Sequence, residues 1–318
     1  KYRYSFDTIF NPGKREPEKP AVPPITATAP EQKAPEPAPA AAKAAAPPAG
    51  ALVFKNDLIR QAACAEIGLP PERHLEAKHC VAVTKLKLYA DAFGAHCLAA
   101  DKRSGRLMLW RKNDSPQFFH EPGSITDISD IAYFTNLREL TLIYQRFSDL
   151  SALSGLPIKV LDLSINKLGS LTPLASLKQM ISLYLDHASY ESLLPLDGLE
   201  ALAYLSNFAI APAAFSDLCS LRLPGLLHLT LSESKLESLA GISNLKSVNW
   251  LELQNCVIFE YDDIANLKNI DTLSLLGCKV FDYSFLKELP NLKTLSVDAE
   301  QKQAITEQFG TLPPCIKF

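Results

Sequence analysis

The sequence predicts an α/β solenoid: short parallel β-strands on a concave face, irregular or 3-10 return segments, and a helical N-terminal cap. Three observations predict it. A Leu-x-Leu pair (degenerate at Asn207 and Val297) recurs eight times, with first leucines at 140, 161, 183, 205, 229, 251, 273 and 295. The intervals are 21, 22, 22, 24, 22, 22 and 22 residues, a period too regular for chance. An apolar residue precedes each pair by three positions, and further leucines recur between pairs, as in Leu168, Leu171, Leu174 and Leu177. A chain that returns to the same apolar pattern every 22 residues stacks one coil on the next and buries a continuous core.

Each letter of the unit has a physical reason. Leu-x-Leu is a short strand whose two leucines share one face and point into the coil. Three positions after the second leucine, a small polar side chain can satisfy backbone groups where the chain leaves the sheet. Asn166, Ser234, Cys256 and Cys278 fill that slot, with Gln145 at the edge; Ala188, Ile210 and Glu300 depart from it, so an incomplete side-chain ladder is expected. This is the leucine-rich-repeat signature L-x-x-L-x-L-x-x-N/C-x-L.

Read from the N-terminus, residues 1–50 form a Pro/Ala-rich linker holding 11 of the 23 prolines. Proline removes backbone donors and the segment lacks apolar side chains to offset ordering, so a disordered, extended spacer is expected. Its first ten residues, KYRYSFDTIF, alternate aromatic and polar side chains like a short strand. Residues 51–90 read as a helical cap leading into a first strand, Lys85-Leu86-Lys87-Leu88, and 91–124 as an insertion. Leu86 and Leu140 are 54 residues apart, so about 32 residues are extra; 95–101 and 106–111 around Lys102-Arg103-Ser104-Gly105 read as a β-hairpin. It is either a private binding element or a cover for the edge strand. Residues 125–297 carry the eight repeats and 298–318 a C-terminal cap.

The return segments Leu171-Thr172-Pro173-Leu174-Ala175-Ser176-Leu177 and Leu239-Ala240-Gly241-Ile242-Ser243-Asn244-Leu245 narrow the subclass. So do Ile125-Thr126-Asp127-Ile128-Ser129-Asp130-Ile131 and the cap segment running from Phe54 through Leu58, Ala62 and Ile67 to Leu69. Together, across about residues 52–318, they resemble bacterial internalin-like leucine-rich-repeat proteins. The segment Leu312–Phe318 is similar to the closing strand of many bacterial repeat arrays. The resemblance implies a protein-binding role, with a secreted or cell-surface bacterial setting; a cytoplasmic one stays open. The chain begins at Lys1 without a signal-peptide pattern and reads as a fragment, processed or trimmed form.

Composition excludes some classes. Lys and Arg number 32 against 35 Asp and Glu, a net charge of −3, which argues against a general nucleic-acid binder. The acidity is concentrated in residues 125–318, where 14 basic face 22 acidic residues, favouring basic partner surfaces. No run of 18 apolar residues occurs, so no membrane span is expected. None of the seven cysteines forms C-x-x-C, and Cys64, Cys80, Cys97, His74, His79, His96 and His120 fit no zinc template. Packed free thiols are the main expectation, with a Cys64–Cys80 disulfide as the alternative. No nucleotide-binding, hydrolase or metalloprotease motif is present. The expectation is a protein that is not an enzyme and holds no cofactor or metal.

The strand period also predicts the binding surface, because residues flanking each inward leucine face outward. Four large aromatics, Tyr184, Tyr204, Phe208 and Trp250, stand there near the middle of the array, with Asp162, Asp186, His228 and Glu252 among them. Aromatics beside charges are the composition of a protein-interface hot spot. The competing reading is that some of them cover the irregular 24-residue repeat or fill a gap beneath the insertion. His228 with Glu252 lacks the nucleophile or cofactor loop that a catalytic role needs. The expected function is recognition of another protein through the concave face, as one module of a larger bacterial secreted, surface or effector-delivery protein. An inhibitor or immunity-type protein that blocks a toxin or enzyme is the alternative.

Overall fold

The computed structural model describes residues 50–310, apart from 94–95, 102–105, 111–116 and 120. The linker reading (save Gly50) and the closing strand at 312–318 therefore lie outside the described residues.

The repeat pattern produces a leucine-rich-repeat solenoid. Its strands are β1 (Lys85–Tyr89), β2 (Ala92–Phe93), β3 (His96–Asp101), β4 (Arg106–Trp110), β5 (Gln117–Phe119), β6 (Glu139–Ile143), β7 (Val160–Asp162), β8 (Ser182–Tyr184), β9 (Tyr204–Ser206), β10 (His228–Thr230), β11 (Lys235–Ser238), β12 (Trp250–Glu252), β13 (Val257–Glu260), β14 (Thr272–Ser274) and β15 (Thr294–Ser296). One ten-stranded sheet has the order β15-β14-β12-β10-β9-β8-β7-β6-β1-β2. All its pairs are parallel except β1–β2. The leucines are in register across it, from Leu86 opposite Leu140 through Leu161, Leu183, Leu205, Leu229, Leu251 and Leu273 to Leu295. Their side chains are buried and stack as one column of the core. Strands β11 and β13 pair in parallel on the return side, and β3-β4-β5 form a separate antiparallel sheet within the insertion.

Most coils return through a short 3-10 segment, such as 129–133, 172–176 and 262–266. These three each place one apolar residue (Ile131, Leu174, Ile264) into the core, and 284–288 places two (Phe285, Leu286), so the turn closes the coil while continuing its layer. The 24-residue repeat returns differently, through helix α3 (Pro212–Ser220), which buries Ala214, Phe215, Leu218 and Cys219. In the same repeat Asn207 takes an inward leucine position. It is buried and donates through Nδ2 to the Tyr190 hydroxyl, which satisfies the amide inside an apolar layer.

The polar slot ties neighbouring coils together, as its spacing implies. Asn166 Nδ2 donates to Leu142 O (2.6 Å) and Leu163 O (2.8 Å), and the Cys256 and Cys278 thiols lie 2.8 Å from Leu231 O and Leu253 O. Gln145 Nε2 reaches Ala90 O at 2.5 Å. Each side chain thereby joins its coil to the preceding one. At the last coil, where Glu300 departs from the slot pattern, its neighbour Gln301 takes the role and donates through Nε2 to Leu275 O and Cys278 O, both at 2.7 Å.

The ends are closed by helices. Helix α1 (Asp57–Glu66) is capped by Asn56, whose side chain accepts from Leu58 N and Ile59 N. The Asp130 carboxylate accepts from Lys55 N and Asn56 N (3.0 and 2.7 Å), fastening this helix to the first return turn. A one-turn helix, α2 (Ala77–Cys80), leads into β1. Helix α4 (Ala299–Phe309) begins with a capping box between Asp298 and Gln301 and buries Ile305 beyond the final strand. Cys64, Cys80, Cys219, Cys256 and Cys278 are free and buried, so the alternative Cys64–Cys80 disulfide is not formed. Burial pushes the Cys80 thiol up to about 11, which leaves it protonated and inert.

Candidate functional site

Outward residues of the parallel strands form rows across the concave sheet, because neighbouring strands pair in register and side chains alternate. In the first row Ser182, Tyr204, His228, Trp250, Thr272 and Thr294 stand opposite one another in succession. The second row contains Asp162, Tyr184, Ser206, Thr230, Glu252, Ser274 and Ser296.

The register makes a continuous ladder of rings. Tyr184 and Tyr204 have centroids 4.9 Å apart, Tyr204 meets His228 edge-on at 4.6 Å, and His228 stacks on Trp250 at 4.4 Å with their planes 10° apart. Offset and edge-to-face contacts of this kind hold the rings in fixed orientations. Trp250 remains 42% exposed, although the rings beside it are partly buried. At its edge the indole Nε1 donates to Glu252 Oε1 (3.0 Å), and Thr230 Oγ1 donates to Glu252 Oε2 (3.3 Å). Both carboxylate oxygens are thus oriented by the ladder.

Burial lowers the His228 pKa, and the neighbouring Glu252 charge only partly opposes this. The imidazole is therefore neutral at pH 7, and its 3.8 Å approach to Glu252 is not a charged pair there. Burial pushes the Asp186 carboxyl up to about 6, against the opposing bonds from Ser206 Oγ (2.6 Å) and Phe208 N (3.1 Å). Asp162 is also raised by burial, while bonds from Ser164 N and Oγ hold its charged form. Tyr184 and Tyr204 are raised by burial too and stay neutral.

The structure brings Tyr184, Tyr204, His228, Trp250 and Glu252 into one contact chain. Phe208 stands apart from that ladder, on the turn after β9, edge-on to His187 at 6.0 Å. Asp186 lies between the two groups, bonded to the β9 strand end and to the Phe208 backbone. Asp162 is on the strand beside Tyr184, with its bonds directed to its own turn. Two exposed apolar residues that strand alternation does not assign lie at the strand starts. Ile181 and Leu227 precede β8 and β10 by one residue and are 42% and 47% exposed. Their carbonyls accept from Tyr204 N (3.0 Å) and Trp250 N (3.1 Å), so their backbone adjoins the strands that carry the aromatic row. Their signal in the sequence is an apolar residue where other repeats have Lys159, Asn249, Asp271 or Lys293.

No protein-family model and no curated protein matches the chain. Among solved structures, an internalin (inlF) from Listeria monocytogenes is similar over 76% of this chain and 62% of its own, with TM-score 0.54 and 21% identity. Internalin C2 from the same species is similar over 76% of this chain and 92% of its own, with TM-score 0.55 and 20% identity. The chain thus spans less than two thirds of the inlF structure. The shared feature is the fold: a parallel-stranded concave sheet with 3-10 returns. Among the described residues, no helix is long and apolar enough to cross a membrane.

Proposed function

From a chain that carries the internalin-like leucine-rich-repeat fold, we propose a protein-recognition module that grips a partner protein with its concave face. The supporting observation is the ring ladder Tyr184–Tyr204–His228–Trp250, laid across four neighbouring strands and left partly open at Trp250. Exposed Ile181 and Leu227, one residue before β8 and β10, add apolar area near it, and Glu252 stands at the edge of Trp250. Fixed aromatic rings give contact area with little ordering cost, which is the physical basis of an interface hot spot. Asp162, Asp186 and Phe208 flank this centre and belong to the proposed contact surface.

The same geometry favours contact over turnover. His228 is enclosed between two rings, and Glu252 is held by Trp250 and Thr230 as part of the contact surface. We place the module within a larger bacterial secreted, surface or effector-delivery protein. The test is affinity capture on the full chain beside its Tyr204→Ala, Trp250→Ala double variant. A specific partner should be retained by the parent and lost by the variant. In calorimetry with that partner the loss should be about 2–4 kcal/mol, with circular dichroism unchanged. Undiminished affinity of the variant rejects the concave assignment.

A further inference from the structure

The ladder ends abruptly, and the break has the shape of a binding step. One face of the Trp250 indole lies on His228. Beyond its other face, the next two strands carry only Thr272 and Thr294 in the same row, with Ser274 and Ser296 in the row beside them. A wall of one indole therefore rises over a floor of small hydroxyl side chains too short to cover it. Its 42% exposure is what this asymmetry leaves open. On the floor, Ser274 Oγ is buried and has no hydrogen-bond partner. Ser274 stands directly opposite Glu252 in the strand register.

Around Trp250 the strand charges have one sign: the sheet's Lys85 and Lys87 lie on β1, beyond β6, and Lys293, one residue before β15, is paired with Asp271 (3.7 Å). No strand residue from β7 to β15 on the concave sheet is Lys or Arg, whereas Asp162 and Glu252 are carboxylates there and Asp186 follows β8 by two residues. The Glu252 carboxylate sits at the edge of the indole, held in place by its own Trp250 Nε1. An open aromatic face next to a positioned carboxylate is complementary to a flat cation. A guanidinium can lie flat on the indole while its edge N–H groups donate in a fixed fork to a carboxylate, a match that the compact, strongly hydrated ammonium makes less well.

We infer that the open face of Trp250, with Glu252, receives an arginine side chain of the partner, over the floor of Thr272 and Ser274. This rests on the concave-face reading and specifies the chemistry of its ligand: a basic protein segment that presents arginine. Tyr184, Tyr204, Ile181 and Leu227 would then contact the apolar remainder of that segment.

The test uses the full chain labelled with ¹⁵N, whose two tryptophans, Trp110 and Trp250, give two indole signals. Trp250→Phe identifies which is which. The probes are a triarginine peptide and matched trilysine and tricitrulline peptides, the last keeping the shape of arginine without its charge. The Trp250 indole signal should shift saturably with triarginine and bind trilysine and tricitrulline about tenfold more weakly. Glu252→Gln should weaken triarginine by about fivefold or more, and raised salt should weaken it further. An unmoved Trp250 signal, or equal response to tricitrulline or trilysine, overturns the inference. If partner capture still depends on Tyr204 and Trp250 in that case, the concave reading stands and only the arginine ligand fails. If capture is indifferent to both substitutions, the concave reading itself fails.

Discussion

At the residue scale, eight coils repeat one backbone conformation, and the last replaces it with the start of α4. Ala90, Tyr144, Ile165, His187, Ala209, Glu233 and Asn255 all have φ between 46° and 58°, and Gly277 has φ 71°. They lie one to three residues past the strand ends in the left-handed region, where an L side chain costs roughly 1–2 kcal/mol and glycine almost nothing. The turn into the polar slot demands this conformation, and the packed coil imposes it even on the β-branched Ile165. Ala209→Gly should therefore raise stability by about 1 kcal/mol, read from the midpoint of denaturant unfolding. A second residue-level test concerns Asp186. Its carboxyl rises from 3.8 to about 6 on folding, so between those values the folded chain binds more protons than the unfolded one. Stability must then fall as pH rises through that window. Asp186→Asn keeps an oxygen acceptor for Ser206 and Phe208 and carries no charge. It should be the more stable form at pH 7.5 by about 1–2 kcal/mol, allowing for solvent screening, and lose that advantage by about pH 4. Unfolding curves of both forms at several pH values check this; an advantage that does not vary with pH would reject the assignment.

At the element scale, the terminal helices matter because a solenoid has two raw ends. Helix α4 covers the last coil, and its first turn satisfies the carbonyls of Leu275 and Cys278 through Gln301. Gln301→Ala leaves both acceptors without that partner in a buried site and should cost about 2–4 kcal/mol by thermal or denaturant unfolding. Exposed Gln303→Ala, on the same helix, serves as the control and should change little. The periodicity makes the strands legible, because Leu-x-Leu states both the element and its inward face. It does not reveal α3 or α4. The stretch from Ala211 to Ser220 lacks a polar N-cap, and its helix is held by burying Phe215 and Leu218 against neighbouring coils. The Asp298–Gln301 capping box was present in the sequence, but the slot pattern directs attention to Glu300 instead.

At the scale of the whole molecule, one buried cluster runs from Ile59 in the cap helix to Ile305 in the terminal helix. Stability is shared through nearest-neighbour contacts along that stack. Leu251→Ala, in a fully buried central coil, should cost about 2–5 kcal/mol by opening a cavity. In a Trp110→Phe background, Trp250 emission reports the middle of the array and far-ultraviolet circular dichroism reports all of it. The two unfolding midpoints should coincide in the parent and move together in Leu251→Ala. Separate midpoints would show that the coils unfold in independent blocks.

By itself the sequence determined the solenoid, the coil period, the inward leucines and the strand face on which Tyr184, Tyr204, His228 and Trp250 stand. These follow from local alternation and repetition, which need no knowledge of distant contacts. The period also aligns Tyr204, His228 and Trp250, each one residue before an inward leucine; only the tertiary structure decided that these rings touch, that His228 joins Trp250 as a stacked ring, and that Phe208 pairs with His187. Ring orientation is set by side-chain packing between coils 22 or 24 residues apart, which the repeat period alone does not fix.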